Sequence, residues 1–451
     1  MSIRFILFFI LLIPGLIAGL FSRFAALLVY IGFAMFRPQE WVFTDITWLR
    51  LSLVSGLILV VPSLLTGVFP NLTHPISIGS VLFLISALIG QFNAVRPDIG
   101  WHWLDYMARL ILVCLLAVTI LNTRKRLLIA VGVFATALGL HASKVGVMIM
   151  LTGGFRLLDG FGGSFGDNNE YALGVVMVLP FLVATAQNFD AIRGQWSSAL
   201  RWAWWASVPL CILTIIATYS RGGAVALAAA ALVFLALQRR KFFAIVVLGA
   251  LAILAVTFAD SLPGYLDRLE TVQSDTEESS AMGRLHYWRT ALTISKDYPL
   301  GIGLRNFEQM YDQYDSSGGA HGHHRAVHNS HLQVLVELGI PGLLVWMSMF
   351  AYSIFAAMRL RRGAKDPARS PEDRLFCFTL GNAFLASLAG FLIGGSFLSM
   401  ALNDATWFIF AFVAVADRLR HPAAALLPEA VTAPRPTPTF QVSPNAARTS
   451  N

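Results

Sequence analysis

Charged side chains are scarce in this sequence: 13% of its 451 residues, against about 25% in soluble globular domains. A soluble enzyme on a single anchor is therefore excluded. Cysteine is scarcer still. Cys114, Cys211 and Cys377 each sit inside an apolar run, and no CxxC spacing occurs, so neither a disulfide framework nor a thiolate metal site is implied. The chain has no HExxH zinc signature and no P-loop. The lone GxG at Gly301 and Gly303 lacks the strand-to-helix setting that would make it a dinucleotide fingerprint.

Apolar sequence is what the chain has in abundance, 56% by residue. Runs near 3–21, 24–36, 51–69, 76–92, 105–122, 127–151, 171–187, 201–219, 222–238, 241–258, 332–358, 375–397 and 402–417 approach the roughly 20 residues a bilayer crossing needs. The 24–36 run is short and reads as a half-span. The expectation is an all-α, polytopic transmembrane helical bundle of about 12 spans. The basic start of the first run is compatible with a signal peptide, but with so many spans following, an uncleaved first helix is expected.

The net charge of +8 does not point to nucleic acid, because Lys and Arg gather in short connections: NTRKR (122–126), QRRK (238–241), RLRRGAKDPAR (359–369) and DRLRH (417–421). An even number of crossings separates each from the next, so all four can face the cytoplasm. The stretch of about 259–330 then becomes an extracytoplasmic loop containing short helices. It carries ten acidic against six basic residues and is too long and varied for a mere connector. The domain is expected over 1–421, and the Pro-, Ala- and Thr-rich 422–451 reads as a disordered cytoplasmic tail.

Polar residues near the runs supply the chemistry. In HNSHLQVLVELGIPG (328–342), His328 and Asn329 stand before an apolar run long enough to cross, which places them at the outer surface. His328 can accept a proton from a hydroxyl; alternatively the pair caps the helix. HGHHRAVHNSH holds five histidines in eleven residues, and His324 with His328 has an i, i+4 spacing that could ligate zinc on a helix, although no carboxylate stands at a ligand spacing. Arg221, in TYSRGGAV, is expected in a tight outer hairpin, where it could fork onto a phosphate or snorkel to lipid.

SSAMGRLHYWRTALTISKDYPLGIGLRNF reads as a Ser-capped short helix lying on the membrane, with Leu285, Trp288 and Leu292 on one face and Arg284 and Arg289 standing off it. The turn after it adds Arg305. Asp167, Asn168, Asn169 and Glu170 open a span after the Gly-rich FGGSFG; His141, Lys144, Asn403 and Asp404 are further polar residues within or at spans.

Three features in order resemble the O-antigen ligase and O-antigen polymerase family of envelope glycosyltransferases. They are the SRGG arginine, the GR…W…YPLGIGLRNF loop, and HN followed by nine residues, Gly339, two more and Gly342. The DNNEYA segment looks like the branch of O-glycosylation ligases associated with exosortase systems. The resemblance covers about 150–400. It implies a multi-pass protein of the bacterial inner membrane that moves a glycan from a polyprenyl (undecaprenyl) diphosphate carrier to a hydroxyl of lipid A core, protein or another acceptor on the periplasmic side, without metal or other cofactor. By position, Arg221 and Arg284 match the family's arginines and His328 its histidine. That gives diphosphate binding to the two arginines and general base to His328, with Arg289, Arg305 and Asn329 as further substrate-binding candidates. His321, His323, His324 and His331 leave open whether a neighbour shares the base role. The alternatives are polymerisation of lipid-linked repeat units and, from another class, polysaccharide or lipid transport.

Overall fold

The structure, a computed structural model, describes residues 3–37, 46, 49–163, 165–238, 249 and 275–420. Fourteen main helices run through them: α1 (Ile3–Phe21), α2 (Arg23–Phe36), α3 (Leu51–Leu65), α4 (Pro75–Gln91), α5 (Pro97–Ile120), α6 (Arg124–Thr152), α7 (Asn168–Gln187), α8 (Arg201–Ala217), α9 (Arg221–Ala236), α10 (Asp275–Asp297), α11 (Phe307–Tyr314), α12 (Ser330–Arg362), α13 (Pro371–Gly394) and α14 (Asp404–Arg418). Helices dominate because a chain in lipid must satisfy its own backbone hydrogen bonds. Their starts follow local chemistry: the side chains of Thr123, Asp167, Ser220 and Asn403 accept hydrogen bonds from first-turn amides of α6, α7, α9 and α14.

Among the described residues six helices are long and apolar enough to cross a membrane, and five shorter apolar helices accompany them. Apart from Gly249, the 241–258 run lies outside the described residues, as does the beginning of the 259–330 loop, through residue 274. The all-α expectation needs one amendment. The Gly-rich turn before α7 closes a small antiparallel hairpin, β1 (Asp159–Gly162) with β2 (Phe165–Asp167). The helix expected from the Ser cap near 280 already begins at Asp275 and runs 23 residues.

Two helices form the bundle's interior. Every residue of α14 from Asp404 to Asp417 is buried, and α7 is buried from Tyr171 to Ala186 with the one partial exception of Leu179. An all-round apolar helix of this kind belongs inside a bundle. A smaller core, with Tyr287, Ile294, Ile302, Phe307, Tyr311, Val327 and Val336, ties α10 and α11 to the start of α12.

The basic connections meet at one end. Arg124 pairs with Asp373 and donates to the Leu419 carbonyl at 3.4 Å. Arg418 donates to Val118 O at 2.6 Å, and Arg361 to Leu237 O, beside the QRRK stretch, at 2.8 Å. Arg359 reaches Asp417 at 2.9 Å. The starts of α9, α12 and α14 and the end of α13 therefore lie at the opposite end of the bundle.

The 332–358 run is not the uninterrupted crossing its hydropathy suggests. Gly339, at φ 73° and ψ −173°, leaves helical geometry, and Pro341 has no N–H to return to Glu337. The backbone groups freed by the break are taken by the YPLGIG loop: Ile302 N–H donates to Val336 O at 3.1 Å and Gly303 N–H to Glu337 O at 2.9 Å, while the freed Ile340 N–H donates to the loop carbonyl of Pro299 at 2.9 Å. A side chain on Gly339 would run into the Pro299 carbonyl, and one on Gly301, at φ 92°, into that of Glu337. The part of α12 beyond the break, about 23 residues and roughly 34 Å long at 1.5 Å per residue, suffices to cross by itself. The first nine residues form a separate, largely buried half-helix, so His328 leads into that piece and not into the crossing helix.

Candidate active site

The segment following α13 is where the site assembles. Phe397 packs beside Trp288 of α10, ring centroids 6.5 Å apart, and its Cβ lies 3.5 Å from where a Cβ on Gly222, at the start of α9, would stand. Next along the chain, Ser330 Oγ donates to Leu398 O at 2.6 Å and accepts from Met400 N–H at 2.9 Å. Between those two contacts, Ser399 Oγ accepts the His328 amide at 2.9 Å. Residues 397–400 thus join the helix that starts with Arg221, the helix that carries Arg284 and the loop that ends in His328.

Arg221 is not in a bare hairpin. It is the first residue of α9, capped by Ser220, whose Oγ accepts the Gly223 amide at 3.0 Å. Two further features mark the neighbourhood as strained: Tyr219 just before the cap has φ 54°, and His328 itself has φ 51°, a left-handed conformation uncommon for side-chain-bearing residues. The Arg284 guanidinium is half-buried, and its pKa is lowered by that burial first and by the charge of Arg221 second. His328 is pushed below its ordinary value, again by burial first, then by Arg284; Asp167 at the start of α7 opposes the shift and Arg325 adds to it. Two arginines and an imidazole thus share one electrostatic neighbourhood. Among the described residues no hydrogen bond engages either ring nitrogen of His328, and the Tyr287 ring lies 6.1 Å away, tilted by 40°.

The remaining sequence candidates separate from this group. Arg289 is exposed and lies five residues from Arg284 on α10, about 140° around the helix. Arg305 stacks over Trp103 at 4.8 Å and pairs with Glu308 at 3.4 Å, with Glu170 and Glu337 also within electrostatic reach. Its charge is met by carboxylates. Asn329 is the N-cap of α12: its Oδ1 accepts from the His331 and Leu332 amides at 3.0 and 3.1 Å. The capping alternative is the observed one for that oxygen.

The histidine-rich stretch also resolves. His324 and His328 lie in a loop, each at φ 51°, so their spacing does not put them on one helical face as the zinc reading required. His331 has both ring nitrogens occupied, Nε2 against Leu392 O at 3.1 Å and Nδ1 accepting from Trp346 Nε1–H at 3.2 Å, which removes it as a shared base. His323 and His324 are exposed beside Asp312, at 3.5 Å each.

Sequence reasoning passed over Ser399, a single hydroxyl with no motif around it, and Arg325, whose signal was only its place three residues before His328. It also passed over His286, which bonds Asp315 at 2.6 Å.

Residues 206–347, from within α8 to beyond the Gly339 break, match the family model described as O-Antigen ligase, and Arg221, Arg284 and His328 all fall inside the match. No curated protein matches the chain.

Proposed function

We propose, from the match of residues 206–347 to the O-antigen ligase family model, that this protein transfers a glycan from a polyprenyl diphosphate carrier to an acceptor hydroxyl at the extracytoplasmic face of the bacterial inner membrane. The observation that carries the reading is the meeting of Arg221, Arg284 and His328 around residues 397–400, at the end of the bundle opposite the basic connections. Basic connections mark the cytoplasmic side, so the site faces outward, where the acceptors of envelope glycans are found.

In the proposed reaction the acceptor hydroxyl gives its proton to a ring nitrogen of His328 as its oxygen bonds the anomeric carbon of the donor sugar. The bond from that carbon to the diphosphate breaks, and the leaving polyprenyl diphosphate keeps the electron pair. Its growing negative charge is stabilised by Arg284 and Arg221, aided by the N-terminal end of α9, to which Arg221 belongs. His328 suits the base role because its depressed pKa leaves it unprotonated near neutral pH. Arg325 is a further cation beside it. The charge of Arg305 is already countered, and Arg305 has no part in the step.

The test is a mass-spectrometric comparison of surface glycoconjugates from a deletion strain complemented with wild type or with His328→Ala. A glycoconjugate lost on deletion, restored by wild type and not by the variant, is the expected result, and its identity separates transfer to an acceptor from elongation of repeat units. Full restoration by a normally inserted His328→Ala protein contradicts the base assignment, and an unchanged glycan profile on deletion contradicts the function.

A further inference from the structure

We infer that His286 and Asp315 form a positioning clamp that joins the helix carrying Arg284 to the loop ending in His328, so that the donor-binding cation and the base are held as one unit. The inference rests on the proposed roles of those two residues for its catalytic meaning, and on geometry for its existence.

Asp315 ends α11 and is almost fully buried, with 5% of its side chain exposed. Its carboxylate takes four hydrogen bonds: from Ser317 N–H at 2.8 Å and Ser317 Oγ at 2.6 Å, from Gly319 N–H at 2.7 Å, and from His286 Nε2 at 2.6 Å. Burial pulls this carboxyl up, but the bonds from Ser317, Gly319 and His286 hold it well below the usual carboxylate range, so it stays an acceptor and fixes the proton of His286 on Nε2.

The first turn of the loop is thereby folded around a carboxylate tied to α10, two residues along the helix from Arg284. Further ties follow in order along the loop. Tyr287 OH donates to His321 O at 2.9 Å, the His286 and His321 rings lie 5.0 Å apart, the His324 amide donates to Asp312 at 3.0 Å, and Val327 is buried in the core around Tyr287 and Tyr311. The last tie is Ser399 on the His328 amide. Among the described residues two side-chain bonds tie α10 to this region: Tyr314 OH donates to Asp297 at 2.8 Å on the exposed side, and His286 bonds Asp315 at 2.6 Å with both groups poorly exposed, a charge-assisted bond of a length among the stronger kinds.

Hydrogen exchange on the full-length protein in lipid nanodiscs, with no substrate added, reads the clamp directly. In His286→Ala the amides of residues 316–328 should exchange about tenfold faster or more, while α12 beyond the break and α14 keep wild-type protection. His286→Gln, whose amide can still donate to Asp315, should restore protection. Unchanged loop exchange in a folded His286→Ala overturns the clamp whatever becomes of the glycan-transfer reading. Loosening without any glycan phenotype in the His328→Ala strain leaves the clamp standing and removes its catalytic meaning.

In strains where transfer is measured, His286→Ala should lower kcat by roughly the hundredfold that an ångström of misplacement costs, with KM little changed and His286→Gln close to wild type. A His286→Gln variant as inactive as His286→Ala, with the acidic limb of its pH profile removed, shows a proton-transfer role and overturns positioning.

Discussion

The hydroxyl of Ser399 holds the backbone of His328 at 2.9 Å, and it holds it in a left-handed conformation that a histidine adopts at a cost. Ser399→Ala removes that acceptor. The loss of one such bond is worth about 1 kcal/mol, too little to unfold the bundle but enough to let the loop relax toward a commoner backbone geometry and carry the imidazole away. The expected outcome is a thermal midpoint within a few degrees of wild type and transfer reduced about tenfold to a hundredfold, with Ser399→Thr largely competent. Wild-type activity in Ser399→Ala shows that the base does not depend on this tether.

Activity should fall as pH is lowered. A base works unprotonated, and burial, followed by the charge of Arg284, holds His328 below its ordinary value, which for imidazole is about 6.5. The acidic limb of kcat/KM, which reports the free enzyme, is therefore expected below that value. Bound diphosphate offsets the arginine charge, so the limb of kcat should lie at higher pH than that of kcat/KM. Asp167→Asn is a clean perturbation because asparagine also caps helices and the carboxylate of Asp167 favours the protonated imidazole. It should move the kcat/KM limb further down. A limb that moves up, or a profile flat from pH 5 to 8, is incompatible with His328 as the base.

Much of this arrangement was readable before any coordinates. Apolar runs located the described helices, and three of the four basic connections, read only as charge bias, do meet at one end through Arg124, Arg361 and Arg418, with the end of α9 beside them. The SRGG and HN stretches, far apart in sequence, fall around one segment because each stands at the start of a helix that opens at the same end of the bundle, and the GR stretch joins them from the middle of α10, which packs against that segment through Trp288. What stayed hidden was non-local backbone pairing. Gly339 stood out in the sequence only for its spacing from His328, and Gly301 only as part of a GxG without its setting, whereas each is a glycine where a side chain would block the carbonyl beside the other. Hydropathy cannot reveal this, since a broken helix and a continuous one have the same apolar content. The separation of Arg289 from Arg284 was available in principle: five positions on a helix are never on one face.

That separation makes the sharpest mutational contrast. Arg284 is half-buried beside Arg221 and His328, where a guanidinium can meet a phosphate with two parallel bonds, while a lysine offers a single point charge. Hydrogen bonds to charged groups are worth about 1.5–3 kcal/mol, so Arg284→Lys should lose about tenfold to a hundredfold in transfer even though the net charge is kept. Arg289 carries the same charge a turn and a half further along α10, but it is exposed on another face, and an exposed cation is screened by solvent and salt. Arg289→Ala should retain activity within about threefold. Measured side by side in membranes with equal protein levels, the two variants distinguish a shaped anion site from a general need for positive charge near the loop: equal losses would favour the second, and a large loss confined to Arg284→Lys the first.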